Sequence, residues 1–410
     1  MVADVSAHPP ILPVILAGGV GSRLAPISTP ECPKPFVPWT NDHCLYRQTI
    51  DRLSPHWLPP LVIGREPDRF RLLNHLRDAG ASYTGILLES QSLNTGLAVA
   101  LVAAWLERHA SAPVTLALLP ADHRIHPAGG WQQAIHYAAA VASDKGQHCL
   151  LSTPARWPES GYGYIEAGDS DSISDPTITA FPIRRFIEKP VEPAPLIAQG
   201  MQWNTGQCIV TLHVLLQLLH NHALEYIAAA RSMVAHSERC FEFDQLAPPH
   251  VHHATLEAVP FDRIILEKSD GYVVPMEGEW CDMGTPARWH QHAGAGRGTA
   301  RTDRPWGYFE LLAQDKTHIL KKLTIYPGAR LSLQKHQYRD EHWQVLDGTA
   351  QIVCGTKDYT LERFGEIHIP ASSWHRLENI GTKNLIIIEK QTSKCLEEDI
   401  LRKEDDYGRA

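Results

Sequence analysis

VILAGGVGSRLAPISTPECPKP, from Val14 to Pro35, joins a buried-strand pattern to a glycine loop carrying two fixed cations. Val14 to Ala17 is apolar at consecutive positions, as in a strand covered on both faces. Gly18, Gly19 and Gly21 let the backbone approach a phosphate closely and offer N–H donors to it, while Arg23 and Lys34 add positive charge. The stretch does not fit G-x-x-x-x-G-K-[ST], and Leu24 stands where a dinucleotide fingerprint needs its third glycine. A plain strand-to-helix turn is the bland alternative, and Arg23, Pro26, Lys34 and Pro35 at these spacings argue against it.

Outward from the loop, PLVIG (60–64), GILLE (85–89) and VTLALLP (114–120) repeat the short apolar run between helix-length segments. This alternation predicts an α/β domain with a mainly parallel sheet over residues 1–290. TGLAVALVAAWLERHA, after Asn94, reads as a sheet-packed helix with Thr95 as its N-cap. HQHAGAGRGTARTD (290–303) lacks apolar periodicity, so 291–303 is taken as a Gly-rich linker. From 304 to 410 the pattern alternates in the strand period, with Asp347-Gly348 as a hairpin signal, which predicts an all-β barrel or sandwich.

The whole chain has 410 residues, 43% hydrophobic, and a formal net charge of -8. Residues 301–410 hold 17 bases and 17 acids, so the entire negative excess lies in the first 300 residues. Such a surface repels polyanions and argues against nucleic acid as a partner. Eight cysteines without a C-x-x-C pair read as reduced thiols of a cytoplasmic protein. No apolar run reaches the roughly 18 residues of a membrane span.

From Leu16 onward the chain resembles the sugar-phosphate nucleotidylyltransferases, whose loop is G-G-x-G-x-R-L-x-P followed by P-K-P or P-K-Q. LLPADH with Asp122, GYGYIEAG (161–168), RRFIEKP (184–190), WNTGQC (203–208) and EWCDMG (279–284) follow in that family's order and narrow the resemblance to mannose-1-phosphate guanylyltransferase. It implies a Rossmann-like nucleotidyltransferase sheet that joins GTP to mannose 1-phosphate. Asp122 and Asp282 sit at predicted strand ends, where open α/β sheets place ligands, and two carboxylates suit Mg2+. Arg23 is assigned to the triphosphate tail and Lys34 to the reacting phosphates. By resemblance, Lys189 binds the sugar phosphate, while Gly163, Glu166, Glu188 and Asn204 bind the sugar. Leu93 replaces the arginine of E-P-x-x-R-N-T, which removes one of the family's phosphate or base contacts.

In the last hundred residues, G-x5-Gln334-x-His336-x4-Glu341-x6-G and Gly365-x4-Pro370-x4-His375-x3-Asn379 form the two-part cupin pattern, with Gln334 in place of the first histidine. Two imidazoles, a carboxylate and an amide oxygen suit Zn2+, Co2+ or Fe2+. RPWGYFE (304–310), PGARLSLQKH (327–336), HRLEN (375–379) and EDDYGR (404–409) resemble the mannose-6-phosphate isomerase domain of type II enzymes, fused behind a guanylyltransferase. This implies interconversion of mannose 6-phosphate and fructose 6-phosphate, with Arg330 and Arg409 as candidates for the substrate phosphate. Tyr338 replaces the second histidine of Q-M-H-x-H-R, and the small β segment that long relatives place between the domains is absent. The alternative is a monofunctional transferase whose cupin domain senses or supports. A homodimer is the assembly considered.

Overall fold

The computed structural model describes residues 8–40, 43–170, 179–248, 256–292, 301–314, 317–393 and 400–407. The chain divides into two compact units, one ending at Gly296 and the other beginning at Arg297.

The first unit is built on an 11-stranded mixed sheet. Its centre is parallel: Ile11–Ala17 lies between Leu61–Arg65 and Thr115–Pro120, with Ile15 opposite Val62 and Leu119. Val14, Ile15, Leu61 and Val62 are all wholly buried, as strands covered on both faces require. Gln202–Thr211 runs antiparallel between Thr115–Pro120 and His148–Pro154. The helix Asn94–His109 buries every residue from Gly96 to Leu106, in one cluster with Leu215, Ile227 and Met233. Ala128–Lys145 seals a second cluster with Leu119, Leu151 and Ile209. Small Ala side chains let these helices approach the sheet, and each fully buried Leu, Val or Ile contributes roughly 1.5–3 kcal/mol.

The helix after Glu89 starts two residues earlier than a Thr95 cap requires, and Thr95 is not its cap. The capping position falls on Leu93 without a side-chain bond, and Thr95 Oγ1 accepts the Phe261 N–H instead. Leu93 packs against the main core cluster.

The second unit is a closed pair of antiparallel sheets, one of six strands and one of five. The helix Pro286–His292 and the strand Arg301–Arg304 encroach on the expected linker from both sides, and 293–300 lie outside the described residues. Asp347-Gly348 makes a turn but no self-paired hairpin. Arg339–Asp347 pairs with Leu385–Ser393 and Glu366–Ile369, whereas Ala350–Cys354 pairs in the other sheet, so the turn hands the chain across the barrel. Trp343, Val345, Ile352, Leu377 and Ile387 belong to the buried core of this unit.

Gly307 has φ +146, and a Cβ there would lie 1.9 Å from the Thr324 carbonyl oxygen. Gly307→Ala is expected to destabilise the second unit by at least about 1–3 kcal/mol, read as an earlier unfolding transition for the barrel and an unchanged one for the first unit.

Candidate functional site

The first unit has a cavity of about 290 Å³ at the carboxyl ends of its central parallel strands, where open α/β sheets bind ligands. Gly18 and Gly19 follow the strand Ile11–Ala17, Glu89 ends Gly85–Glu89, and Asp122 follows Thr115–Pro120. Leu16, Ile63, Val99 and Leu118 form an apolar wall. Nothing stands within 4 Å of a Cβ built on Gly19, so this part of the loop faces open space. Gly21 has φ +75, and a Cβ there would meet Lys34 Cβ at 2.4 Å. Glycine at this position therefore lets the loop close over the lysine.

Lys34 is 5% exposed. Its Nζ donates to Asp122 Oδ2 at 2.6 Å and also to the Asp282 carbonyl oxygen. Three segments far apart in the chain thus meet at one ammonium. Burial would raise the Asp122 carboxyl, but the Lys34 charge and bond, with His123, hold it below the usual range. Asp282 Oδ1 accepts from the Tyr162 hydroxyl at 2.8 Å, Arg288 Nη1 at 2.6 Å and the Gly284 N–H at 3.1 Å. Oδ2 takes part in none of these bonds. Arg23 is exposed beside Gly161, with its charge near Arg288.

Next to this centre, Asn204 receives the backbone N–H of Gly206 and donates to Asp262 Oδ1 at 3.1 Å. Glu188, 8% exposed, pairs with Lys189 and packs on Gly163. Burial, and then the Glu188 charge, lifts the Asp262 carboxyl to about 6. Glu166 stands apart from this group, bound to Arg185 at 3.0 Å. Asp262 belongs to no motif of the sequence, and Glu89 enters only as the first residue of the E-P-x-x-R-N-T segment, with no role assigned. Each became recognisable only once folding buried it, and a lone acid between apolar residues was the available signal.

In the second unit, Gln334 and His336 come from one strand of the five-stranded sheet, His375 from its neighbour and Glu341 from the facing sheet. His336, Glu341 and His375 are each 1% exposed, and one ligand atom of each lies within 4.8 Å of the others. His336 Nε2 is 3.1 Å from Glu341 Oε1. Gln334 Nε2 is 3.5 Å from His336 Nε2. Burial would raise the Glu341 carboxyl, but the His336 bond and the charges of His375, His336 and Arg339 hold it well below its ordinary range. Glu341 Oε2 and His375 Nε2 face each other at 3.5 Å, buried and with no hydrogen bond to satisfy either. Two imidazoles and a carboxylate with orphaned atoms aimed at one point fit a divalent metal.

A cavity beside this cluster is lined by Gln334, Arg339 and Glu341 together with Arg304, Lys321 and Arg402. Arg330 is not among its lining. Its guanidinium binds Asp406 in two bonds of 2.5 and 2.9 Å. Tyr338 is 53% exposed and outside the ligand group, and Arg409 lies outside the described residues. The thiols of Cys149, Cys208, Cys240, Cys281 and Cys354 are free, and no described helix is long and apolar enough to cross a membrane.

A nucleotidyl transferase family model matches residues 12–294, and a model described as mannose-6-phosphate isomerase C-terminal matches 295–406. The chain belongs to the nucleotidyl transferase family. Alginate biosynthesis protein AlgA of Pseudomonas aeruginosa is 31% identical, with 97% of each chain covered. That alignment spans 478 positions against 410 residues here, so at least 68 positions are gaps in this chain. Mannose-1-phosphate guanylyltransferase of Escherichia coli is 28% identical, over 97% of this chain and all of that one. A crystal structure of mannose-1-phosphate geranyltransferase from Thermus thermophilus matches with TM-score 0.55 and 26% identity, over 67% of this chain and 76% of that one.

Glu89 is 2% exposed and packs beneath Gly18, and burial raises its carboxyl from 4.5 to about 8. The folded chain therefore keeps a proton that the unfolded chain releases, a stabilisation present below pH 4.5 and lost as the pH rises towards 8. Glu89→Gln is expected to flatten this loss, which reaches up to about 1.4 kcal/mol per pH unit, in urea unfolding of the first unit at a series of pH values.

Proposed function

We propose that this chain serves GDP-mannose synthesis at two steps. The first unit transfers GMP from GTP to mannose 1-phosphate and releases pyrophosphate. The barrel interconverts mannose 6-phosphate and fructose 6-phosphate. The observation that carries this reading is the presence in one chain of two built sites of different chemistry. One pins a buried lysine between two aspartate segments beside a glycine loop, and the other buries a His-Glu-His cluster beside a cation-lined cavity. Full-length similarity to a mannose-1-phosphate guanylyltransferase supports the substrates.

In the first site, the N–H groups of Gly18, Gly19 and Gly21 cradle phosphate oxygens, and Arg23 holds the triphosphate tail. Lys34 neutralises charge at the reacting phosphates, so that alignment and electrostatics lower the barrier without a covalent intermediate. Guanine offers adjacent N1–H and N2–H2 donors, which the unpartnered Glu89 Oε1 accepts when the carboxyl ionises. Gly163, Glu166, Glu188 and Asn204 hold the sugar and Lys189 its phosphate. Asp122 and Asp282 would hold Mg2+, which would supply charge neutralisation at the phosphates.

In the barrel, Gln334, His336, Glu341 and His375 hold Zn2+ or Co2+, which supplies Lewis-acid polarisation of the sugar oxygens when bound. Arg304, Lys321 and Arg402 give the cavity the positive charge that a sugar phosphate needs. The exposed position of Tyr338 leaves the cluster complete without a second histidine, so metal binding does not depend on one. Small phosphorylated substrates fit a chain of net charge -8 better than nucleic acid, and free thiols fit the cytoplasm.

Single substitutions test the division of labour in the full chain. Lys34→Met is expected to lower GMP transfer at least 100-fold on the order of lost oxyanion contacts, with sugar isomerisation unchanged. Glu341→Gln is expected to abolish metal-dependent isomerisation with transfer unchanged. Metal-loaded wild type that binds Co2+ but never converts mannose 6-phosphate would reduce the function to the transferase.

A further inference from the structure

Resting on the isomerase reading, the geometry points to Glu389 as the general base that moves the proton between C2 and C1 of the sugar phosphate. Aldose–ketose interconversion needs a proton acceptor beside the metal-polarised oxygens, and the cavity next to His336, Glu341 and His375 offers few. Among its described lining, Arg304, Lys321, Arg339 and Arg402 are cations, while Ser332, Gln334 and Gln391 have no suitable basicity. Glu341 belongs to the ligand cluster. Glu389 is the remaining carboxylate.

Its position is built rather than incidental. Glu389 lies on Leu385–Ser393 directly opposite Trp343 on Arg339–Asp347, the strand that also carries Glu341. It is 5% exposed. The Trp343 indole N–H donates to Oε1 at 3.2 Å, and Gln391 Nε2 donates to Oε2 at 3.0 Å. The same Gln391 nitrogen donates to Glu341 Oε1 at 3.2 Å, so one amide holds the two carboxyls on either side of it. Lys321 Nζ stands 3.9 Å from Oε2. An interior of this kind would ordinarily be filled with apolar side chains, because a buried carboxyl without a task is a net destabilisation.

The step balances on one group. The Glu389 carboxylate takes the C2 hydrogen as a proton, the C2–H pair becomes the C1–C2 double bond, and the C1 carbonyl pair moves onto O1. The carboxylic acid then returns the proton to C1, while the O2 hydroxyl proton passes to O1 and O2 becomes the ketone oxygen. The reverse direction uses the same atoms.

The test uses the full chain loaded with Co2+, comparing wild type, Glu389→Gln and Glu389→Asp on mannose 6-phosphate deuterated at C2. The readouts are kcat, KM, loss of deuterium to solvent and the cobalt absorption spectrum. Glu389→Gln is expected to lower kcat at least 100-fold, with KM changed less than about threefold, deuterium loss falling in step and the cobalt spectrum preserved. Glu389→Asp is expected to recover part of the turnover. GMP transfer by the same preparations is the internal control for folding. A Glu389→Gln protein that keeps more than a tenth of wild-type kcat overturns the assignment. So does one whose kcat falls only with loss of the cobalt spectrum, if Glu389→Asp keeps the spectrum and shows no turnover. Wild type without turnover removes the isomerase reading and this one together.

Discussion

Burying the Lys34 ammonium is the constraint around which the first unit is arranged. A cation that is 5% exposed survives only with acceptors around it, and it finds them in the Asp122 carboxylate and the Asp282 carbonyl. These acceptors follow different strands, so the sheet must bring Lys34, Asp122 and Asp282 together from positions up to 248 residues apart. Gly21 must stay a glycine because a side chain there would collide with the lysine stem. Tyr162 and Arg288 then fix Asp282 from the other side. One desolvated charge thereby couples the glycine loop, the central strands and the segment that closes the unit.

The barrel solves the opposite problem. Its interior concentrates acids and imidazoles instead of one cation, and the charges of Arg339 and Lys321 offset them only in part. Orphaned atoms on Glu341 and His375 give this cluster its unmet demand for a divalent ion. Gln391 carries the arrangement further by bonding both Glu341 and Glu389. The two units therefore hold separate electrostatic devices, one suited to polyphosphate and the other to proton movement on a sugar.

Much of this was legible in the order of the residues. Strands apolar on both faces announced the parallel sheet, and the loop from Gly18 to Lys34 announced an anion site, because backbone approach and fixed charge are local properties. The gathering of His336, Glu341 and His375 was legible in the cupin pattern, because strand spacing sets which side chains point inward. Partners across space were not. Arg330 reads as a phosphate ligand beside Gly328, yet Asp406, 76 positions away, claims it. Thr95 looks like a helix cap until Phe261 arrives from 166 positions on. Asp262 and Glu389 carry no motif, and the burial that raises them, like that of Glu89 in its E-P-x-x-R-N-T segment, exists only in the folded chain.

The central claim is that one chain holds a guanylyl-transfer site and a sugar-phosphate isomerase site, two steps of one route to a sugar nucleotide. The most direct measurement supplies the full chain with fructose 6-phosphate, GTP, Mg2+ and Co2+, with and without a separate phosphomannomutase, and follows the products by phosphorus NMR. The account predicts mannose 6-phosphate alone without the mutase, and GDP-mannose with pyrophosphate when it is present. Contradiction would be the absence of GDP-mannose with an active mutase, or its formation without one.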